Sequence, residues 1–233
     1  MTTQTNQLHV VLGTGPLGCA VMQDLLRRGH IVRMVNRSGQ RGEIPAEVEV
    51  VAADLYRPED AREVTRGAAS VYQCAQPEYT EWPEKFPSLQ CAIVEGVAAN
   101  GARLIVAENL YMYGQVSDRP MTEDLPNAAR TRKGRVRAQM SEELLAAHRE
   151  GKLKVAIARA SDFYGPGALA SSPFGERVVY PAMRGKAMQT LGPLDVPHTY
   201  TYIGDFGRTL AELGAREDAL GQIWHVPNDR PSI

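Results

Sequence analysis

Apolar positions along the chain fall into two alternating rhythms. Leu8-His9-Val10-Val11-Leu12 is a short apolar run ending in glycine, which predicts a buried strand. From Leu17 to Arg28 apolar residues return at Leu17, Val21, Leu25 and Leu26, the spacing of a helix, and Gly29-His30 closes it. The alternation continues with strands at Ile31 to Val35, Val48 to Ala52, Ser70 to Gln73, Leu104 to Ala107 and Val155 to Ala158. Between them lie helical patterns at about Pro58 to Thr65, Leu89 to Ala99 and Val136 to His148. Pro58 suits a first helical position, and Asn100-Gly101 suits a left-handed stop. The stretch from Cys74 to Ser88, with Pro77, Tyr79, Trp82 and Pro83, reads as a long loop. Strands alternating with helices imply parallel βαβ units, hence an α/β protein with a doubly wound parallel sheet.

Composition narrows this little. The 233 residues are 43% apolar and 23% charged, ordinary for a globular chain with a sizeable core. Lys plus Arg is 26 against 27 Asp plus Glu, so no global basic field draws nucleic acid or an anionic membrane. No apolar run is long enough to span a bilayer, and Met1 to Gln7 lacks the pattern of a secretory signal. Cys19, Cys74 and Cys91 are an odd number without metal-ligand spacing. These features predict no metal site and a reducing, cytoplasmic setting.

The first chemical signal is Gly13-Thr14-Gly15-Pro16-Leu17-Gly18, a G-x-G-x-x-G string between a predicted strand and a predicted helix. Gly13 makes the tight turn, Gly15 lets the backbone approach a pyrophosphate, and Gly18 lets helix and strand pack closely. The helix N-terminus offers unpaired N–H groups to phosphates. The second strand ends in Asn36-Arg37-Ser38 rather than in the carboxylate that binds the ribose hydroxyls of NAD. Arg37 can pair with a 2′-phosphate and Ser38 can donate to it, which favours NADP over NAD. The bland alternative makes Arg37 a solvated turn residue; Arg33 and Arg41 are weaker candidates for the same phosphate. Asp54, followed by Leu55, either accepts from the adenine amino group or caps the helix at Pro58. Cys74-Ala75-Gln76 ends the fourth strand, at the carboxyl edge where ligands pass.

These residues resemble the NAD-dependent epimerase/dehydratase family of extended short-chain dehydrogenases/reductases, over nearly the whole chain. Tyr113-Gly114 looks like the family's strand-end Tyr-Gly, and Arg159 to Gly167 like its Arg…Tyr-Gly-Pro-Gly segment. Thr199 to Asp205 and Gly221 to Val226 look like the strands that follow. The resemblance implies a Rossmann domain over residues 1–160 that binds NAD(P). Residues 161–233 would be a small substrate lobe interleaved with the last core strands. About half of the usual lobe can come from Ser161 to Leu220, so either the substrate is small or part of the lobe is missing. In the family, the helices here at Leu89–Ala99 and Val136–His148 pair with their copies. Apolar Val136, Met140, Leu144 and Ala147 exceed what one sheet face needs, so a homodimer is expected.

The family's Tyr-x-x-x-Lys pair is absent, since no tyrosine here has lysine four residues later. Matching the helix through Ala138-Gln139 puts Thr131 at the tyrosine place and Arg135 at the lysine place. Arg135 can hold the nicotinamide ribose but cannot act as a base. Asn109, at the family's serine or threonine place, can donate to a substrate oxygen. Tyr111 is the best replacement proton carrier; the alternative is that it only lines the pocket. Lys133 is a further candidate, more simply read as solvated in the Arg130-Thr131-Arg132-Lys133 run. Tyr180 to Arg184 imitates the missing spacing too far along the chain. His148, His198 and His225 read as structural. The expected function is NAD(P)-dependent hydride chemistry at a carbonyl or hydroxyl carbon of a small polar substrate. The alternative is an NADP-binding sensor or scaffold without turnover.

Overall fold

The computed structural model describes residues 6–116, 119–169, 172, 175–189 and 195–229. In chain order the strands are β1 (Leu8–Leu12), β2 (Ile31–Asn36), β3 (Glu49–Ala52), β4 (Ser70–Gln73), β5 (Arg103–Glu108), β6 (Lys154–Arg159), β7 (Phe163–Tyr164), β8 (Thr201–Tyr202) and β9 (Ile223–His225). The helices are α1 (Pro16–Arg27), α2 (Pro58–Val64), α3 (Trp82–Asn100), α4 (Arg132–Arg149), α5 (Tyr180–Met183) and α6 (Ile203–Ala215). Seven strands form one parallel sheet in the order β3-β2-β1-β4-β5-β6-β9. The predicted α/β Rossmann sheet is therefore present, with α2, α3 and α4 on one face and α1 and α6 on the other.

The chain winds outward from β1 in one direction and, from β4, in the other. That reversal leaves a crevice at the carboxyl ends of β1 and β4, where doubly wound sheets bind ligands. The residues after 160 divide. Helix α6 and strand β9 join the sheet layers, while β7 and β8 form a separate two-stranded parallel ladder. Parts of the expected lobe lie outside the described residues.

Two elements depart from the sequence expectation. The Cys74 to Ser88 stretch is not all loop, because α3 begins at Trp82 with Pro87 inside it. A proline in a helix interior costs about 3 kcal/mol. Trp82 and Phe86, four apart, continue the apolar stripe of Leu89 and Ile93 into the core and are 7% and 4% exposed. Burying 150–250 Å² of aromatic surface apiece is worth up to roughly 4–6 kcal/mol each, so the stripe outweighs the proline. Helix α4 begins at Arg132 rather than Val136, and Thr131 is its N-cap, its hydroxyl accepting from the Gly134 N–H at 3.1 Å.

The apolar residues read as a dimer surface are spent inside the chain. Met140 and Leu144 are fully buried, and Val136 and Ala147 pack on the same core. The outward positions of α4 are Arg135, Gln139, Glu142 and Glu143. Amphipathicity counted these side chains correctly, but the sheet and α3 together cover more of α4 than one sheet face does.

At the amino end of the central strand β1, His9 is buried with Nδ1 2.9 Å from the Tyr72 hydroxyl and its ring 4.2 Å from that of His30. Burial first, then His30, Arg103 and Arg28, hold its pKa down to about 3. Between that value and 6.5 the unfolded chain binds a proton that the folded chain refuses. Stability is thus complete above pH 6.5 and falls below it, by up to about 1.4 kcal/mol per pH unit. Thermal melts from pH 7.5 to 5 should show this slope, and His9→Gln should remove most of it; an unchanged slope in the variant would assign it elsewhere.

Candidate dinucleotide and substrate site

Each glycine of the turn does a separate job. Gly13 has φ +111°, and a Cβ on it would lie 2.9 Å from the Ala75 nitrogen, so β1 and the end of β4 touch here. A Cβ on Gly18 would lie 2.1 Å from the Gly13 carbonyl oxygen. A Cβ on Gly15 would meet nothing within 4 Å, so the turn leaves open space at the one glycine expected to face a pyrophosphate. Gly15 is the N-cap of α1, Pro16 opens the helix, and no side chain caps it. The first-turn N–H groups are left for a ligand, and the absence of acidic residues there keeps an anion welcome. These residues therefore fit the phosphates of a dinucleotide.

Around the turn, Asn36 acts as an organiser. Its Nδ2 donates to Thr14 Oγ1 at 3.3 Å and to the Gln40 carbonyl at 2.9 Å. Its Oδ1 accepts from the N–H groups of Ser38 and Gly39. Arg33 pairs with Glu49 and Arg41 donates to the carbonyls of Pro45 and Val48. Exposed Arg37 makes no ion pair among the described residues. Asp54 neither caps α2, whose N-cap is Arg57, nor stands idle: its Oδ1 accepts from the Tyr56 N–H at 3.1 Å. Leu55 sends its side chain into the core, and Leu17 packs beneath the turn. Cys74 and Ala75 line the approach to Gly13, while Gln76 is exposed just beyond. Burial pushes the Cys74 thiol up to about 12, so it serves as a small apolar wall.

The candidate reacting end lies where the turn after β5, the loop after β4 and the start of α4 come together. Asn109 Oδ1 accepts from the Tyr111 N–H at 3.1 Å, which leaves its amide NH2 to donate. The Tyr111 and Tyr79 hydroxyls are 3.4 Å apart. Burial first, then the hydrogen bond and charge of Tyr79 and the nearby Asp162, push the Tyr111 phenol above its ordinary range. It is thereby kept protonated, a donor rather than a base. Trp82 stands against both phenols, its ring centre 5.1 Å from that of Tyr79 and 6.1 Å from that of Tyr111. Lys133 Nζ lies 3.2 Å from the centre of the Tyr79 ring.

The structure does not bring Arg135 into this group. Arg135 is exposed and its guanidinium turns back to the Arg130 carbonyl. At 100° per residue, position 135 faces away from 133 and 137, so the helix phase excludes it. Arg137 is buried instead, with Glu108 and Arg159, at exposures of 2%, 3% and 1%. Glu108 accepts from Arg159 at 3.0 Å and lies 3.5 Å from Arg137. Ser141 completes the cluster, its hydroxyl donating to Glu108 and accepting from Arg159 at 2.7 Å. The Arg137 guanidinium sits 4.6 Å from the Phe86 ring centre and 5.8 Å from that of Trp82. Lys133, Arg137, Met140 and Leu144 form one helical stripe, a signal the sequence carried.

The other resembling segments are largely structural. The Tyr113 hydroxyl is 2.8 Å from His225 Nε2, tying β9 to the end of β5, and the Arg159 guanidinium covers its ring. His198, in contrast, is exposed beside Asp162, Nε2 to Oδ2 3.1 Å, although its position suggested only a structural role.

A parallel doubly wound sheet with a glycine turn at its switch point defines a dinucleotide-fold protein. Residues 10–225 match the model of the NAD dependent epimerase/dehydratase family, and the chain belongs to that family. Among solved structures, UDP-glucuronic acid 4-epimerase from Bacillus cereus in complex with NAD is similar at 18% identity, with TM-score 0.83 over 97% of this chain and 78% of that one. UDP-glucose 4-epimerase from Thermus thermophilus, in complex with NAD, is similar at 21% identity, TM-score 0.75, over 96% and 79%. The dTDP-glucose 4,6-dehydratase of Bacillus anthracis str. Ames, also with NAD, is similar at 16% identity, TM-score 0.81, over 96% and 77%. No curated protein sequence matches the chain. No helix among the described residues is long and apolar enough to cross a membrane.

Proposed function

We propose that this protein is a nicotinamide-dinucleotide-dependent oxidoreductase, epimerase or dehydratase acting at a carbonyl or hydroxyl carbon of a small polar substrate. The observation that carries the reading is the open space over Gly15, facing an uncapped helix N-terminus within a family fold. A bound nicotinamide supplies or takes hydride. Gly13 to Gly18 hold the pyrophosphate, with Cys74, Ala75 and Gln76 beside it and Asp54 toward the adenine. Asn109 and protonated Tyr111 meet the substrate oxygen with hydrogen bonds. The sugar nucleotides named for two of the similar epimerases make a polar, phosphate-bearing substrate the first class to test. A sensor without turnover is not favoured, because two phenols and a lysine gather at the reacting end.

At the adenosine end we propose a preference for NADP. Asn36 shapes the loop, Ser38 can donate to a 2′-phosphate, and Arg37 lacks a carboxylate partner among the described residues. The similar structures hold NAD, so direct titration decides. Charge-assisted hydrogen bonds of about 1.5–3 kcal/mol predict that NADP binds about ten- to a hundredfold more tightly than NAD. Arg37→Ala should erase most of that difference in calorimetry; equal affinities in the wild type would reject the preference.

A further inference from the structure

We infer that Lys133 is the group that hands a proton to the substrate oxygen, an inference that rests on the reading just given. Lys133 is half-buried, and among the described residues it makes no ion pair and no hydrogen bond; its neighbour is the face of Tyr79. Lys85 and Lys152, by comparison, are each paired with a glutamate. An ammonium has three donors and no acceptor, so Lys133 keeps N–H bonds available beside the Tyr79 ring, whose hydroxyl lies 3.4 Å from that of Tyr111.

Its position is enforced from behind. The Arg137 guanidinium, one turn on, packs against Phe86 and Trp82, and Trp82 supports Tyr79 and Tyr111. From the other side, a Cβ on Gly134 would lie 2.7 Å from the Tyr111 carbonyl oxygen, so glycine lets the first turn of α4 press directly on the Tyr111 turn. Lys133 thus projects from a rigid helix start rather than from a solvated run. Tyr111 is the less suited carrier: burial holds its proton tightly, and its hydroxyl already faces that of Tyr79.

The step balances simply. When a substrate carbonyl carbon gains hydride, the C=O π electrons become an oxygen lone pair. An Nζ–H bond of Lys133 breaks, its proton joins that oxygen, and the bonding pair stays on nitrogen as a neutral amine. Solvent returns the proton to the half-buried amine. In the oxidising direction the same atoms run backwards.

Two measurements test this. Acetic anhydride labelling, read by peptide mass spectrometry with and without saturating NADP, should show Lys133 acetylation falling at least about fivefold, with Lys152 and Lys186 unchanged. Calorimetry runs alongside. If NADP binds and Lys133 is not protected, this inference fails alone; if neither NADP nor NAD binds, the reading of the site fails and takes the inference with it. In the second measurement, 9,10-phenanthrenequinone serves as the carbonyl probe for oxidation of bound NADPH. Lys133→Met should slow it by about 10²–10⁴-fold, the usual worth of general acid catalysis, while NADPH affinity stays within about twofold. Lys133→Arg keeps the charge but holds its protons too tightly to give one up, so it should be as slow. Wild-type rates in Lys133→Met, or rescue by Lys133→Arg, would overturn the assignment.

Discussion

Removing the Glu108 carboxylate should be among the most damaging single changes in this fold. Glu108 is the only acid in a buried cluster with Arg137 and Arg159, and all three are at most 3% exposed. Breaking a buried pair by deleting one partner costs about 3–5 kcal/mol, because the remaining charge stays out of water. Here two guanidiniums would be left. At about 2–4 °C per kcal/mol for a chain of this size, Glu108→Ala should lower Tm by about 6–20 °C. Arg137→Met gives the opposite contrast. It leaves Glu108 matched one-to-one with Arg159 and Ser141 and fills the space with an apolar side chain. The carboxylate and guanidinium that remain stay paired with each other, so no lone buried charge is left, and its Tm should change far less. Equal losses in both variants would show that packing, not charge balance, governs the cluster. A small loss in Arg137→Met would leave its contacts with Phe86 and Trp82 as the service of the surplus cation.

The second large effect separates the fold from its ligand. Gly15 has ordinary extended backbone, φ −73°, and space around it. Gly15→Ala should therefore leave Tm within about 1 °C, as for a surface change without strain. Its methyl group would enter the space kept for the pyrophosphate. Loss of one charge-assisted bond, about 1.5–3 kcal/mol, predicts ten- to a hundredfold weaker NADP or NAD. Gly18→Ala should behave differently, since its Cβ would collide with the Gly13 carbonyl at 2.1 Å. Overpacking of about 1–3 kcal/mol would cost about 2–12 °C in Tm, with dinucleotide binding lost as the turn deforms. If Gly15→Ala binds like the wild type, the phosphates lie elsewhere.

The sequence by itself determined the sheet and the glycine turn at its switch point. The strand run Leu8–Leu12 emerges with the same bounds in the structure, because a strand covered on both faces reads as a near-continuous apolar run. The glycine turn is equally local: its three constraints act within six residues and one neighbouring strand, so the string and its context suffice. The proposed reacting end is different. Its residues come from 79, 109–111 and 133, and whether they meet depends on the phase of α4 and the start of α3. Arg135 and Lys133 are two residues apart, about 200° around α4, so only the phase of the helix decides that Arg135 faces outward and Arg137 inward. Trp82 and Phe86 were hidden by the prolines around them, since local propensity argues for a loop and only the core shows what their burial is worth. The apolar surplus of α4 is likewise shared between α3 and the sheet within the chain, which its own periodicity does not reveal. Short-range sterics can be read from neighbours in sequence; which side chains share a pocket is settled by helix phase and packing, where one residue of register changes every contact.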